Sequence, residues 1–190
     1  AKKQLAMEWA AAKAFNPELI VYHPKAVGVP HIAEKLKCLT VLASPLPGFT
    51  PTKEFASPMM PFRSLGPLNR ATHSLMAGSG DTIFRGMIGD WRVKDLGLPR
   101  RPRSSLTPDA TLYAFSSHVV PVPADWPASV DVTGYWFLED DQAWSPSADL
   151  ERFLADGRTP VYVGFGSMPG LDPVAMTKLV LDALAEAGER

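Results

Sequence analysis

Two short apolar runs, Leu19-Ile-Val-Tyr22 and Leu39-Thr-Val-Leu-Ala43, flank a stretch of helical spacing, and this arrangement limits the fold more than any other feature of the chain. Each run is short, β-rich and bounded by turn signals, as a strand buried on both faces is. Before the first, Leu5, Met7, Trp9, Ala12 and Phe15 recur mostly at helical spacing among Lys2, Lys3, Glu8 and Lys13, until Asn16-Pro17 ends the pattern. Between the two, Val29-Pro30 opens a helix through Ile32, Ala33 and Leu36, with Lys35 and Lys37 placed to suit its C-terminal end. Helix, strand, helix, strand with short connections is the pattern of a parallel sheet covered by helices, so the fold class is α/β. Thr111-Leu-Tyr-Ala-Phe115 and Val130-Asp-Val-Thr133 add two further strands.

From Pro45 to Pro67 six prolines stand too close together for regular structure, with Phe49, Phe55, Met59, Met60 and Phe62 interleaved. So many large apolar groups argue against disorder. The loop either lines a site or covers a core edge. Leu68 to about Leu98 reads as helix with interruptions at Gly78, Gly80, Gly86 and Gly89, and Leu75, Met76, Ile83, Phe84, Met87, Ile88 and Trp91 form its apolar face. Arg100, Arg101 and Arg103 make a short basic cluster, read as a solvated loop in preference to a phosphate site. Leu138 to Ala148 is acidic and polar like an inter-domain linker. Asp149 is placed to cap a short helix over 150–154.

With 19 basic and 20 acidic residues the net charge is −1, which leaves no electrostatic footprint for nucleic acid or an anionic membrane. Cys38 is the single cysteine, which rules out a disulfide framework and favours a reducing compartment, with the cytoplasm as the expected location. No apolar run approaches a membrane span. His23, His31, His73 and His118 lack metal-ligand spacing, and no Gly-x-Ser-x-Gly elbow occurs. The chain lacks an initiator Met and starts inside a helical pattern, so it is expected to be a segment of a longer protein.

The stretch Thr159 to Pro173 carries the chemistry. Val161 to Val163 reads as a strand entering Gly-Phe-Gly-Ser, after which a helix begins with Pro173 in its first turn. Strand, glycine turn and helix N-terminus can bring unpaired N–H groups and the positive end of a dipole to an anion. Gly164, Gly166 and Gly170 are spaced one residue longer than the dinucleotide fingerprint, and no Lys follows as in a Walker loop. On the glycines alone, an anion site and a tightly packed turn remain equally open.

Asp131-Val-Thr-Gly-Tyr-Trp-Phe-Leu138, a polar linker, and Pro160-Val-Tyr-Val-Gly-Phe-Gly-Ser-Met168 together resemble the domain junction of the UDP-glycosyltransferases. The nearest branch is the one with sterol glucosyltransferases and glycopeptide-antibiotic glycosyltransferases. Leu19 to Lys25, Pro30-His-Ile-Ala-Glu34 and Ser44-Pro-Leu-Pro-Gly-Phe-Thr-Pro51 resemble the later half of that family's acceptor domain, so the likeness covers nearly the whole chain.

The resemblance implies the GT-B arrangement of two Rossmann-like domains: residues 1–137 would be most of the acceptor-binding domain, 138–148 the linker, and 149–190 the first strand-helix unit of the nucleotide-sugar domain. It implies transfer, with inversion, of a hexose from a UDP- or dTDP-sugar to a hydroxyl of an apolar acceptor such as a sterol, lipid, polyketide or peptide product. The nucleotide sugar is a co-substrate, and neither a cofactor nor a metal is expected. Gly166, Ser167 and Met168 match the loop against the donor diphosphate. Pro47, Phe49, Thr50 and Phe55 are expected at the acceptor. His23 stands where plant members often carry an Asp that orients the catalytic base, and is the candidate catalytic residue here. The main base is expected before Ala1, so the segment alone should be inactive. Nucleic-acid partners and a transmembrane segment are not expected, whereas peripheral membrane contact is compatible with an apolar acceptor. A nucleotide-dependent oxidoreductase, which would need an acidic residue about 20 positions past the glycines, and a non-catalytic binding fragment remain the alternatives.

Overall fold

The computed structural model describes residues 1–102, 106–138, 144–167 and 172–190, and within its longest helix the side chains of 77–83 are left aside. The chain divides into two compact units, Ala1–Phe137 and Leu138–Arg190.

The first unit is a four-stranded sheet, β1 (Leu19–Tyr22), β2 (Leu39–Ser44), β3 (Ala110–Tyr113) and β4 (Val130–Val132), in the order β1-β2-β3-β4 with every pair parallel. Helix α1 (Lys2–Phe15) precedes it and α2 (Val29–Leu36) joins β1 to β2. Asn16 ends α1 in the left-handed region at φ 51°, which Asn tolerates better than most residues, and its N–H bonds Ala12 O. Between β2 and β3 a 3-10 turn (Gly66–Leu68) leads into α3 (Asn69–Trp91), which closes in a π-helical turn (Arg92–Leu96) capped by Gly97 at φ 64°. The glycines of α3 do not interrupt it.

In a parallel sheet whose strands advance in one direction, right-handed crossovers carry the connecting segments onto one face. The packing agrees. Leu19 pairs with Leu39 and Val21 with Val41, so Ile20, Tyr22, Thr40 and Leu42 share the other face. On that face Tyr22, Val29 and Leu42 form one buried cluster, while Leu5 of α1, Ile32 of α2, Trp91 and Leu96 form a second, with Ile20 touching both. Fully burying a side chain such as Ile32 contributes about 1.5–3 kcal/mol. The expectation of strands buried on both faces is corrected for β1: Leu19 and Val21 are 46% and 58% exposed, and Leu39 is 55% exposed. Leu75 is also exposed. The opening turn of α3 turns Asn69, Thr72 and His73 inward instead, because they carry the hydrogen bonds of the proline-rich loop.

Arg92 is wholly buried. Its Nη1 donates to Glu34 Oε2 at 2.5 Å and lies 2.8 Å from His31 Nδ1, Nη2 reaches Glu34 Oε1 at 3.2 Å, and Nε donates to Pro99 O at 2.8 Å. The π-helical turn thereby joins α2 to the segment after α3. Burial and the neighbouring Arg92 charge lower the His31 pKa to about 4, so its ring is neutral near pH 7.

In the second unit α4 (Ala148–Ala155) is capped by Ser147, whose Oγ accepts from Leu150 N at 3.3 Å, and not by Asp149, which lies within the helix. Helix α5 (Pro173–Glu186) begins with Pro173 and is capped by Asp172. The expected strand over 161–163 forms no ladder among the described residues. A strand needs a neighbour for its N–H and C=O groups, and the backbone partner here is Arg190 O, which accepts from Val161 N at 2.6 Å.

Candidate functional site

Ligands of open α/β sheets bind beyond the C-terminal ends of the strands, where the loops converge. In the first unit those ends carry His23 after β1, Ser44-Pro45 after β2, Ala114-Phe115 after β3, and Thr133-Gly-Tyr-Trp-Phe137 after β4. A cavity of about 600 Å³ lies there, lined by Pro45, Ala114, Tyr135, Trp136 and Phe137. Its walls are apolar and aromatic, as sites for apolar small molecules are.

The aromatic wall is held in place. Thr133 N and Oγ1 donate to Tyr113 O at 3.0 and 3.2 Å, and Trp136 Nε1 donates to Thr133 Oγ1 at 2.7 Å. Gly134 turns the chain at φ 79°, a conformation in which a side chain would be strained. Beneath lies Tyr113, fully buried, its ring 5.0 Å from Trp126 and 5.3 Å from Phe115 and its hydroxyl 2.9 Å from Thr50 Oγ1. Desolvation raises the Tyr113 pKa, so it remains a neutral phenol. Sequence reasoning assigned no role to Tyr135, Trp136 and Phe137. The available signal was three consecutive aromatic residues after a glycine at a strand end, where periodicity gives no core face to account for them.

The proline-rich loop is tied down by side chains. Thr52 Oγ1 and Lys53 N donate to the two oxygens of Asp125 at 2.5 and 2.9 Å, and these bonds hold the Asp125 carboxyl below the usual range. Buried Asn69 donates from Nδ2 to Lys53 O at 2.9 Å and accepts from Leu65 N at 2.6 Å. Thr72 Oγ1 accepts from Ser57 N, and His73 Nε2 lies 3.1 Å from Phe55 O, which makes Nε2 the donor. Of the expected acceptor residues, Phe49 is half exposed, Pro47 half-buried, Phe55 packed with its ring 6.0 Å from His73, and Thr50 buried on Tyr113. None of the four lines the cavity, whose one loop residue is Pro45.

His23 is exposed at the end of the edge strand, and Lys25 N–H donates to its Nδ1 at 3.1 Å. With Nδ1 accepting, the neutral ring carries its proton on Nε2. In that tautomer Nε2 can donate a hydrogen bond, while the Nδ1 lone pair is engaged by Lys25 N–H.

In the second unit Gly166 adopts φ 57° in open space, and Ser167 is exposed beside it. Met168 lies outside the described residues. At the start of α5, Asp172 Oδ1 accepts from Ala175 N at 3.0 Å. The helix terminus is thus occupied by a carboxylate of its own, which repels an incoming anion. Among the described residues no three His, Cys, Asp or Glu side chains converge as a metal centre needs, and no helix is long and apolar enough to cross a membrane.

A parallel four-stranded α/β unit, followed by a glycine turn and a helix, is compatible with a Rossmann-like fragment of the GT-B type. A comparison with family models gave no match. Individual relatives are clear: the chain is 37% identical to a sterol 3-beta-glucosyltransferase of Leptosphaeria maculans over 96% of its length, 33% to UDP-sugar-dependent glycosyltransferase 52 of Dictyostelium discoideum over 96%, and 31% to a sterol 3-beta-glucosyltransferase of Aspergillus fumigatus over 98%. Homology of this extent assigns the chain to the UDP-glycosyltransferase family. The chain spans only 13%, 12% and 14% of those three relatives.

Proposed function

We propose that this chain is part of an inverting hexosyltransferase that moves a sugar from a UDP- or dTDP-sugar to the hydroxyl of an apolar acceptor, a sterol by analogy with the relatives. In the reaction the acceptor oxygen attacks the anomeric carbon, the bond to the nucleoside diphosphate breaks, and the hydroxyl proton passes to a base. The observation that carries the reading is the aromatic-walled cavity at the strand ends of a chain that matches sterol glucosyltransferases over nearly its whole length. The first unit then binds the acceptor. Tyr135, Trp136 and Phe137 supply a flat apolar wall, and the anchored loop bearing Pro47, Phe49, Thr50 and Phe55 shapes the approach. In the second unit the Gly166-Ser167-Met168 turn meets the donor diphosphate, where oriented N–H groups and the Ser167 hydroxyl stabilise the charge that develops as the nucleotide leaves. No metal cofactor is invoked. His23, donating from Nε2, orients a group at the acceptor and leaves deprotonation to another residue.

The test uses the full parent protein with UDP-glucose or dTDP-glucose and a 3-hydroxysterol. The expected product is a β-glucoside, identified by its anomeric NMR coupling. Trp136→Ala and the Phe49→Ala, Phe55→Ala pair should raise the acceptor KM more than the donor KM. Absence of transfer from either donor to any hydroxylated apolar acceptor would overturn the reading.

A further inference from the structure

Ala56 N–H donates to Arg63 O at 3.0 Å and Met60 N–H to Ser57 O at 2.8 Å, so the middle of the proline-rich loop closes into a tight projection. Its base is fixed. Ala56 and Ser57 are buried, Ser57 N–H donates to Thr72 Oγ1 at 2.8 Å, and buried Asn69 holds the far side through Leu65 N. The tip is Pro58-Met-Met-Pro-Phe62, five apolar residues in a row, with Met59 71% exposed and Phe62 exposed as well. Leu65 and Leu68 continue the open apolar surface into the start of α3, and exposed Leu75 stands two helical turns past Leu68.

Apolar side chains gathered on an anchored projection mark a place of contact, and two observations say with what. Pro58, Pro61 and Pro67 carry no N–H, so this loop offers no continuous row of donors onto which an extended protein segment could add as a strand. Charge is the second. Residues 55–75 contain Arg63 and Arg70 and neither Asp nor Glu, in a chain whose net charge is −1. Both arginines are exposed. Arg63 stands at the bond that closes the loop, and Arg70 in the first turn of α3, where the helix dipole disfavours a cation, although its charge also reaches Asp125. An uncharged apolar tip behind which cations are placed suits a lipid surface: the hydrocarbon boundary takes the tip and anionic headgroups take the guanidinium groups.

We propose that the loop tip at 58–62, flanked by Arg63 and Arg70, docks the protein on the surface of a bilayer that carries anionic phospholipid. This goes beyond the sugar-transfer reading and is tested apart from it, because vesicle binding is measured with neither donor nor acceptor present. The chain and the full parent protein are each sedimented with phosphatidylcholine vesicles that lack or contain phosphatidylserine. Both should bind the anionic vesicles at low ionic strength and bind them less as salt rises. In the chain, Met59→Ser and Phe62→Ser leave the charge unchanged and are each expected to weaken binding about tenfold, the lower range for burying one such side chain. Arg63→Gln and Arg70→Gln should each weaken binding to anionic vesicles about fivefold and leave neutral vesicles unaffected. Met7→Ser, at an exposed position on α1, should have no effect. Circular dichroism checks that each variant keeps the fold. Absence of binding by both proteins, binding that the tip and arginine variants leave unchanged, or binding by the chain that the parent lacks overturns the proposal. Light scattering without vesicles supplies the other outcome: self-association that Met59→Ser and Phe62→Ser abolish would assign the tip to a second copy of the chain and equally overturn it.

Discussion

Glu34→Gln should destabilise the first unit more than Arg92→Met, although Arg92 makes more hydrogen bonds than Glu34. The reason lies in which charge remains. Arg92 has no exposed surface, whereas the Glu34 side chain is 25% exposed. Glu34→Gln leaves a guanidinium in the interior with one amide oxygen in place of a carboxylate. Removing one partner of a buried pair costs about 3–5 kcal/mol, and partial hydration through the opening at residue 34 favours the lower end, about 3 kcal/mol. Arg92→Met removes the interior charge and leaves a carboxylate that can turn to water, with bonds to Pro99 O and His31 lost. Its cost should be about 1–2 kcal/mol. The double variant should then be more stable than the sum of the singles implies, with a coupling of at least about 1.5 kcal/mol. Urea unfolding followed by circular dichroism measures all three, and amide exchange over 29–36 reports whether α2 loosens first. A Glu34→Gln cost below that of Arg92→Met, or strictly additive singles, would refute the argument that the buried guanidinium dominates.

Three further outcomes are expected. Because the folded pKa of His31 is about 4 and lies below its ordinary 6.5, the unfolded chain takes up a proton first as pH falls. Stability should be fully present above pH 6.5 and decline between 6.5 and about 4; the shift allows at most about 3 kcal/mol and the ring's partial exposure about half of that, and His31→Gln should flatten the profile. Asn69→Ala removes the bonds to Lys53 O and Leu65 N, which should cost about 2 kcal/mol and speed limited proteolysis within 52–65 relative to the rest of the chain. In the parent protein Ser167→Ala should weaken UDP binding about tenfold, whereas Gly166→Val should do more because a β-branched residue resists φ 57°; titration calorimetry in which both variants keep full UDP affinity would reduce the turn to a packing feature.

Much of the first unit was legible because its strands are written as apolar runs between helical periods, and Leu19–Tyr22 forms over the predicted residues. Pro30 in the first turn of α2 and Pro173 in that of α5 marked helix starts directly. The rest depended on long-range contacts that leave no local period. Arg92 reads as one more charge near a helix end, and only its spatial approach to His31, Glu34 and Pro99 makes it a core residue. Asn69 and His73 read as polar helix positions, yet they anchor a loop up to 18 residues away. The 161–163 run carries every local sign of a strand and still forms no ladder among the described residues, because pairing belongs to the neighbour as much as to the strand. At the strand ends, the aromatic triple after Gly134 has no local period, and only the folded sheet places it at a cavity rim.

The one-way order of the sheet has a consequence for handling the chain. β1 stands at the sheet margin, with no further strand on its outer side among the described residues, and beside it Leu19, Val21 and Leu39 face water. An open strand margin next to an oily surface is a template onto which another extended chain can add. In isolation the segment should therefore be adhesive and lose monomer as concentration rises, the more so because β1 bears no inward lysine or proline to repel a newcomer.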